Sequence, residues 1–335
     1  MKKGIYLLIA LTLVMSLFSF GAQAADVSAP TTVLYGDADL SKTVDSLDFA
    51  AVKMHLLGTK NVSNIKAADV DADGTITALD LGLIKQFLLG LITKFPADTG
   101  NPPVTEPKFH CFLLLGQSNM AGWPKAQASD NVKNPRILSL GYTNNTWAVA
   151  VPPLHEAWQG AIGPGDWFAK TIINELPEQD TIGLIPCAIS GEKIETFMKN
   201  GGTKYNWIIE RAKLAQAKGG VIDGILFHQG CSNNGQADWP SKVNTLVTDL
   251  KKDLGLGDIP FLAGELLYSG GCAGHNKLVN QLPSVIKNCY VISANGLSGD
   301  PADSWGLHFN HDSQVTFGKR YAQKMTEVLG WYPRF

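Results

Sequence analysis

Four runs of this 335-residue chain are apolar almost from end to end and stop abruptly at small or polar residues: FHCFLLLGQS (109–118), TIGLIPCAISG (181–191), GILFHQGC (224–231) and IPFLAGEL (259–266). A strand that is apolar at every position, and not at every second one, must be covered on both faces. Between the runs lie segments with helical spacing, including FAKTIINEL (168–176), IIERAKLAQAK (208–218) and KVNTLVTDLKKDLG (242–255). The alternation predicts an α/β unit in which helices cover both faces of a mainly parallel central sheet. In such sheets ligands gather at the carboxyl ends of the strands. Ser118, Gly191 and Gln229 all fall at that edge, so three segments far apart in sequence meet at one place.

The first run continues as LLLGQSNMAG (113–122), which sets a serine between two amides. One reading is a polar turn, with Ser118 or Asn119 capping the next helix. The other is a nucleophile displayed at the end of a strand. The elbow motif G-x-S-x-G is not met, because Met120 stands where it needs glycine. An ester-cleaving serine requires a base and donors for the oxyanion. His308 precedes HDSQVTFGKRYAQKMTEVL, an amphipathic segment that predicts a helix starting near Asp312, so His308 lies in a loop free to reach Ser118. His311 is the nearest rival and reads as solvent-facing at the helix start, while His228 reads as a packed strand-end residue. Gln229 is either an oxyanion donor or a strand-end amide that satisfies loop backbone.

A second constraint lies upstream. GDADLSKTVDSLDFAAVKMHLLG (36–58) recurs as ADVDADGTITALDLGLIKQFLLG (68–90), with loop starts 32 residues apart. Each copy is an oxygen-rich loop followed by a helical pattern. Asp37, Asp39, Ser41, Thr43, Asp45 and Asp48 occupy positions 1, 3, 5, 7, 9 and 12 of the first loop, and Asp69, Asp71, Asp73, Thr75, Thr77 and Asp80 those of the second. That spacing curls oxygens around one point, as a hard cation such as Ca²⁺ requires; position 7 supplies its backbone carbonyl. The first loop has Lys42 where position 6 favours glycine, which predicts weaker binding there. FPADTGNPPVTEP (95–107) is proline-rich and reads as a semi-rigid linker between residues 33–94 and a large domain, 108–335.

The N-terminus has a charged start, an apolar run and a small-residue site at Ala22-Gln23-Ala24, the pattern of a secretory signal peptide over residues 1–24. A net charge of −2 gives no electrostatic case for nucleic acid or for an anionic membrane surface. No second long apolar stretch follows, so no membrane association is expected after signal cleavage. Of the five cysteines, Cys111 and Cys187 sit in apolar runs and read as buried, and no C-x-x-C pair suggests zinc. Cys231 and Cys272 follow neighbouring runs, which suggests a disulfide bracing the rim of the site.

In chain order, GQSNMAG, PCAISGEKI, HQGCSNN and DSWGLHF resemble the signature stretches of SGNH/GDSL hydrolases. Together with PLHEAWQGAIGPGDWFA (153–169) and GLHFNHDSQVTFGKRYA (306–322), they resemble carbohydrate esterase family six and the sialate O-acetylesterase-like proteins. The resemblance implies the three-layer αβα fold of SGNH hydrolases, with Ser118 as nucleophile, His308 as base, and the N–H groups of Ser118 and Gly191 with the Gln229 amide as oxyanion donors. Two acids expected by resemblance are missing, since Trp305 stands three residues before His308 and Cys231 follows HQG. Asp303 is the nearest substitute; a backbone carbonyl holding the imidazole is the alternative. Trp123 and Trp305 flank these segments and are candidates for the substrate cleft.

The repeat resembles a type I dockerin, a small all-α calcium-binding module. That resemblance implies structural Ca²⁺ and a cohesin of a cellulosomal scaffoldin as partner, contacted through Ser46-Leu47 and Ala78-Leu79. The combined expectation is a secreted, extracellular, cellulosome-associated serine esterase acting on acetylated hemicellulose, with acetylxylan foremost and no cofactor in the chemistry. Pectin, sialic-acid or feruloyl esters, and a catalytically silent carbohydrate-binding module, are the alternatives.

Overall fold

The computed structural model describes residues 33–99, 107–155 and 161–331. The signal-peptide reading (1–24) therefore lies outside the described residues, as do residues 100–106 of the linker. Among the described residues no helix is long and apolar enough to cross a membrane.

In the repeat, each loop feeds a helix, Ser46–Leu56 and Ala78–Leu88. Both helices start by the same device. The side chains of Asp45 and Thr77 accept from the backbone two residues on, and the carboxylates of Asp48 and Asp80 reach back to the N–H groups of Asp45 and Thr77. Such reciprocal capping satisfies donors that a helix leaves open. The last acid of each loop thus also closes the loop, because Asp48 accepts from Asp39 N–H and Asp80 from Val70 N–H. At loop position 6, Gly74 has φ +91° and Lys42 φ +70°. A side chain in that left-handed region costs about 1 kcal/mol that glycine avoids. Phe95 is buried and stacks on Phe87 at 4.7 Å, so the start of the segment read as linker packs into the repeat's own core with Val52, Val70 and Ile84.

The large unit is built on a seven-stranded sheet in the order β3-β2-β4-β1-β5-β6-β7. The strands are β1 (Phe109–Gly116), β2 (Ile137–Leu140), β3 (Trp147–Val149), β4 (Thr181–Ala188), β5 (Gly220–His228), β6 (Phe261–Gly264) and β7 (Cys289–Ile292). Every pairing is parallel except β2 with β3. Along β1, Cys111, Leu113 and Leu115 face one core with the helices Tyr205–Ala217 and Trp239–Asp253. Phe112 and Leu114 face the other, with Pro164–Ile172 and His311–Leu329. Two buried faces explain the unbroken apolar runs. Cys111 and Cys187 are buried within these layers, as read from their surroundings.

The carboxyl ends of β1 and β5 close tightly on each other. A Cβ on Gly116 (φ +140°) would stand 2.1 Å from the carbonyl oxygen of His228, so only glycine fits between β1 and the serine that follows. The chain then turns at once into the short helix Ser118–Ala121.

Candidate active site

Ser118 opens that helix at the edge of the central strand, and His308 comes to it from the loop before His311–Leu329. Ser118 Oγ lies 2.8 Å from His308 Nε2, and His308 Nδ1 lies 2.8 Å from Asp303 Oδ2. All three residues are buried. The Asp303 side chain accepts from the backbone N–H groups of Trp305, Leu307 and His308. Those bonds curl the segment 303–308 so tightly that an acid five residues upstream reaches the imidazole. Burial pushes the Asp303 carboxyl up, but the three N–H groups and the neighbouring His308 outweigh it and hold it below the usual carboxylate value. For His308, burial pushes the pKa down and Asp303 pulls it up; the net value is below the ordinary 6.5, which favours a neutral ring at neutral pH. With Asp303 ionised, that ring carries its proton on Nδ1 and leaves Nε2 to accept from the Ser118 hydroxyl.

The two amides flanking Ser118 hold the loops that surround it. Gln117 Oε1 accepts from Gly230 N–H (3.1 Å) and Ser232 N–H (3.4 Å) of the loop after β5. Asn119 Nδ2 donates to Leu307 O, and its Oδ1 accepts from Phe309 N–H, one contact on each side of His308. The capping reading of this turn is corrected. Gln117 holds the N-cap position without a side-chain cap bond, and neither Ser118 nor Asn119 caps the helix.

Ser118 N–H and Gly191 N–H donate to no other group among the described residues, which leaves both available to an oxyanion. Gly191 is exposed, with φ +77°. Gln229 departs from the oxyanion expectation. Its Nε2 donates to Asn233 Oδ1 (2.7 Å) and Glu192 O (3.2 Å), and its Oε1 accepts from Trp239 Nε1. Both amide protons are committed, so Gln229 braces the loop carrying Gly191 from beneath. Gln229→Ala would strand the buried Trp239 Nε1 and leave Asn233 Oδ1 with Ile194 N–H alone. The expected result is a loss of roughly 2 kcal/mol of stability in denaturant unfolding, with any fall in rate following from the loosened loop.

The other histidines divide as follows. His228 is fully buried and packs edge-on against Phe309 and Phe317; burial pushes its pKa down to about 4. His311, expected to face solvent, is only partly exposed and pairs through Nε2 with the buried Asp130 at 2.8 Å. Their separation of 181 residues hid that pair from the sequence. The expected Cys231–Cys272 disulfide is also corrected: both thiols are free, and Cys272 Sγ lies 3.8 Å from the carbonyl oxygen of Cys231. Trp123 lies flat on His308, with ring centroids 3.9 Å apart and planes at 6°. Trp305 is 63% exposed, 5.7 Å from Trp123 and 6.3 Å from His308.

In the repeat, the carboxylates of Asp37, Asp39 and Asp48 converge within 4.8 Å of one another, as do those of Asp69, Asp71 and Asp73. Asp37 Oδ1 is buried without a hydrogen-bond partner. Burial and the charges of Asp80 and Asp73 push Asp71 up to about 7. Crowded all-oxygen donors with an orphaned buried atom suit a hard cation. Ser41 and Thr43 stand beside the first cluster, with Thr43 Oγ1 donating to Asp45. Thr75 Oγ1 donates to Asp73 in the second, while Asp45 and Thr77 serve as helix caps. Removal of calcium with a chelator is expected to lower the melting temperature of the repeat, restored by added Ca²⁺ and not by equal Mg²⁺. Identical melting curves with and without chelator would count against metal at these loops.

A doubly covered, mostly parallel sheet defines an SGNH-hydrolase type of fold, and a serine, a histidine and an aspartate are aligned at its carboxyl edge. The chain belongs to the carbohydrate esterase, sialic acid-specific acetylesterase family, whose model matches residues 108–327. It also carries a type I dockerin, whose family model matches residues 35–89. Among solved structures it is similar to a protein from Arabidopsis thaliana, with 26% identity and TM-score 0.59, over 68% of this chain and 100% of that one. NanS is similar in fold, at 14% identity and TM-score 0.56, over 67% of this chain and 98% of that one. One chain of a complex between a cohesin from Acetivibrio cellulolyticus scaffoldin B and a dockerin matches at 38% identity and TM-score 0.18, over 18% of this chain and 98% of that one.

Proposed function

We propose that the chain is a secreted, cellulosome-associated serine esterase that removes O-acetyl groups from plant cell-wall polysaccharide, with acetylated xylan as the leading substrate. The reading rests above all on the unbroken chain of 2.8 Å contacts from Ser118 through His308 to Asp303. Ser118 Oγ attacks the acetyl carbonyl while His308 Nε2 takes its proton. The N–H groups of Ser118 and Gly191 receive the oxyanion. Collapse of the tetrahedral intermediate breaks the ester bond; His308 returns the proton to the departing sugar oxygen and acetyl-Ser118 remains. A water molecule, deprotonated by His308 Nε2, then attacks the acetyl carbon; the bond to Ser118 Oγ breaks, His308 returns the proton to Oγ, and acetate leaves. Trp305 offers an exposed indole beside His308 on which the sugar bearing the leaving oxygen can stack.

The dockerin directs the choice of substrate, because such a module places its enzyme on a scaffold that works on plant cell walls. Its partner is then a cohesin, met through the faces bearing Ser46-Leu47 and Ala78-Leu79, of which Leu47 and Leu79 are 63% and 58% exposed. Calcium belongs to these loops and to no step of the ester chemistry. A second reading, de-O-acetylation of sialic acid, is favoured by the description of the matching family model. Acetate release from acetylated xylan, acetylated pectin and O-acetyl sialic acid, each measured against Ser118→Ala, separates the two. Faster release from sialic acid than from xylan would reject the xylan assignment. Sugar binding with no release from any of them would reject the esterase.

A further inference from the structure

We propose that Trp123 is a positioning residue for the esterase chemistry, whose indole face fixes the His308 ring and stabilises the imidazolium that forms when Ser118 gives up its proton. The inference rests on the Ser118–His308 reading of the site above. Trp123 and His308 lie face to face at 3.9 Å with planes only 6° apart. The contact covers a ring that is only 4% exposed. Water is therefore largely excluded from the base, and a fixed π face stands where solvent would otherwise answer its charge. An indole face carries the most negative quadrupole of the protein side chains and attracts a cation most when both are desolvated.

The arrangement is built locally. Trp123 follows Gly122, which has φ +116° and whose Cβ, if present, would stand 2.9 Å from the Ile162 backbone. Trp123 N–H donates to Ile162 O at 3.2 Å, so the backbone pins the indole one short turn beyond the nucleophile. The groups that face His308 are Asp303 at 2.8 Å, Asp300 farther off, the Ser118 hydroxyl and His228, whose burial favours its neutral form. Asp303 therefore answers the imidazolium charge in the plane of the ring, through Nδ1, and Trp123 answers it from above. Because its face is occupied by His308, Trp123 is withdrawn from sugar stacking on that side, which leaves Trp305 as the exposed aromatic of the pair.

Fluorinated tryptophans test this without changing shape, since each fluorine drains the π face and leaves the volume nearly constant. With one to four fluorines placed at residue 123 alone in the full chain, hydrolysis of p-nitrophenyl acetate is followed as kcat/KM against pH. The expected result is a graded loss reaching roughly tenfold across the series, with the acidic limb moving to lower pH by up to about one unit. A purely steric role predicts a flat series. Equal rates and limbs for all analogues, with hydrolysis still abolished by Ser118→Ala, would overturn the role of Trp123 alone. Hydrolysis that survives Ser118→Ala would instead overturn the site reading beneath it.

Discussion

Ser118→Ala is expected to lower kcat for acetyl ester hydrolysis by roughly 10⁴-fold or more while KM stays within a few-fold. The proposed mechanism makes Ser118 Oγ the atom that bonds to the acyl carbon, so no neighbouring group can replace it. The substitution should leave the fold intact. Among the described residues Ser118 Oγ makes one hydrogen bond, to His308 Nε2, and its loss is worth about 1 kcal/mol. Melting temperature and dockerin properties therefore serve as internal controls. More than about one per cent of wild-type kcat in a well-folded variant would require a different nucleophile.

Asp303→Asn is the second large effect, an expected fall in kcat on the order of 10²–10⁴. Asp303 Oδ2 accepts from Leu307 N–H, His308 N–H and His308 Nδ1, and Oδ1 accepts from Trp305 N–H. An amide cannot present acceptors at both positions. It must either confront a backbone N–H or turn its NH₂ towards the imidazole, and in both cases the negative charge is gone. The sign of the pH effect follows. The base works as neutral imidazole, so in the wild type kcat/KM should fall as pH drops through a midpoint below the ordinary 6.5, because burial outweighs Asp303 at His308. Removing the carboxylate removes what pulls that pKa up, so the limb should move to still lower pH as the plateau rate falls. A variant with unchanged rate would mean that the imidazole is steadied by something other than Asp303.

How much of this was legible depends on the distance over which each feature is decided. The runs of β1, β4, β5 and β6 could be read because both faces are buried, which leaves an apolar signal at every position. β7 (CYVI) and β2 (ILSL) are as short as β6, but their two middle residues are only partly buried, so they lack its continuous apolar signal. In the repeat the spacing was legible within twelve residues, and it brings together Asp37, Asp39 and Asp48 in one loop and Asp69, Asp71 and Asp73 in the other. The Lys42 anomaly at position 6 was visible in sequence as a missing glycine, and in the structure as a side chain at positive φ.

The site divides along the same line. The sequence by itself determined the class of the sheet, its carboxyl edge and the serine at the end of the central strand, whereas the choice of His308 over His311 and His228 rested on the family resemblance. The sheet, its edge and the serine follow from hydrophobic pattern and chain direction, which are local. Only the tertiary structure decided that Asp303 reaches His308, that Gln117 and Asn119 tie the loops around Ser118, and that Trp123 lies on the imidazole. It also turned Gln229 into a loop brace, left Cys231 and Cys272 as free thiols, and paired His311 with Asp130. Hydrogen bonds and ring contacts depend on positions fixed to a fraction of an ångström between segments far apart in the chain. A spacing rule cannot carry that, and only the packed sheet and helices do.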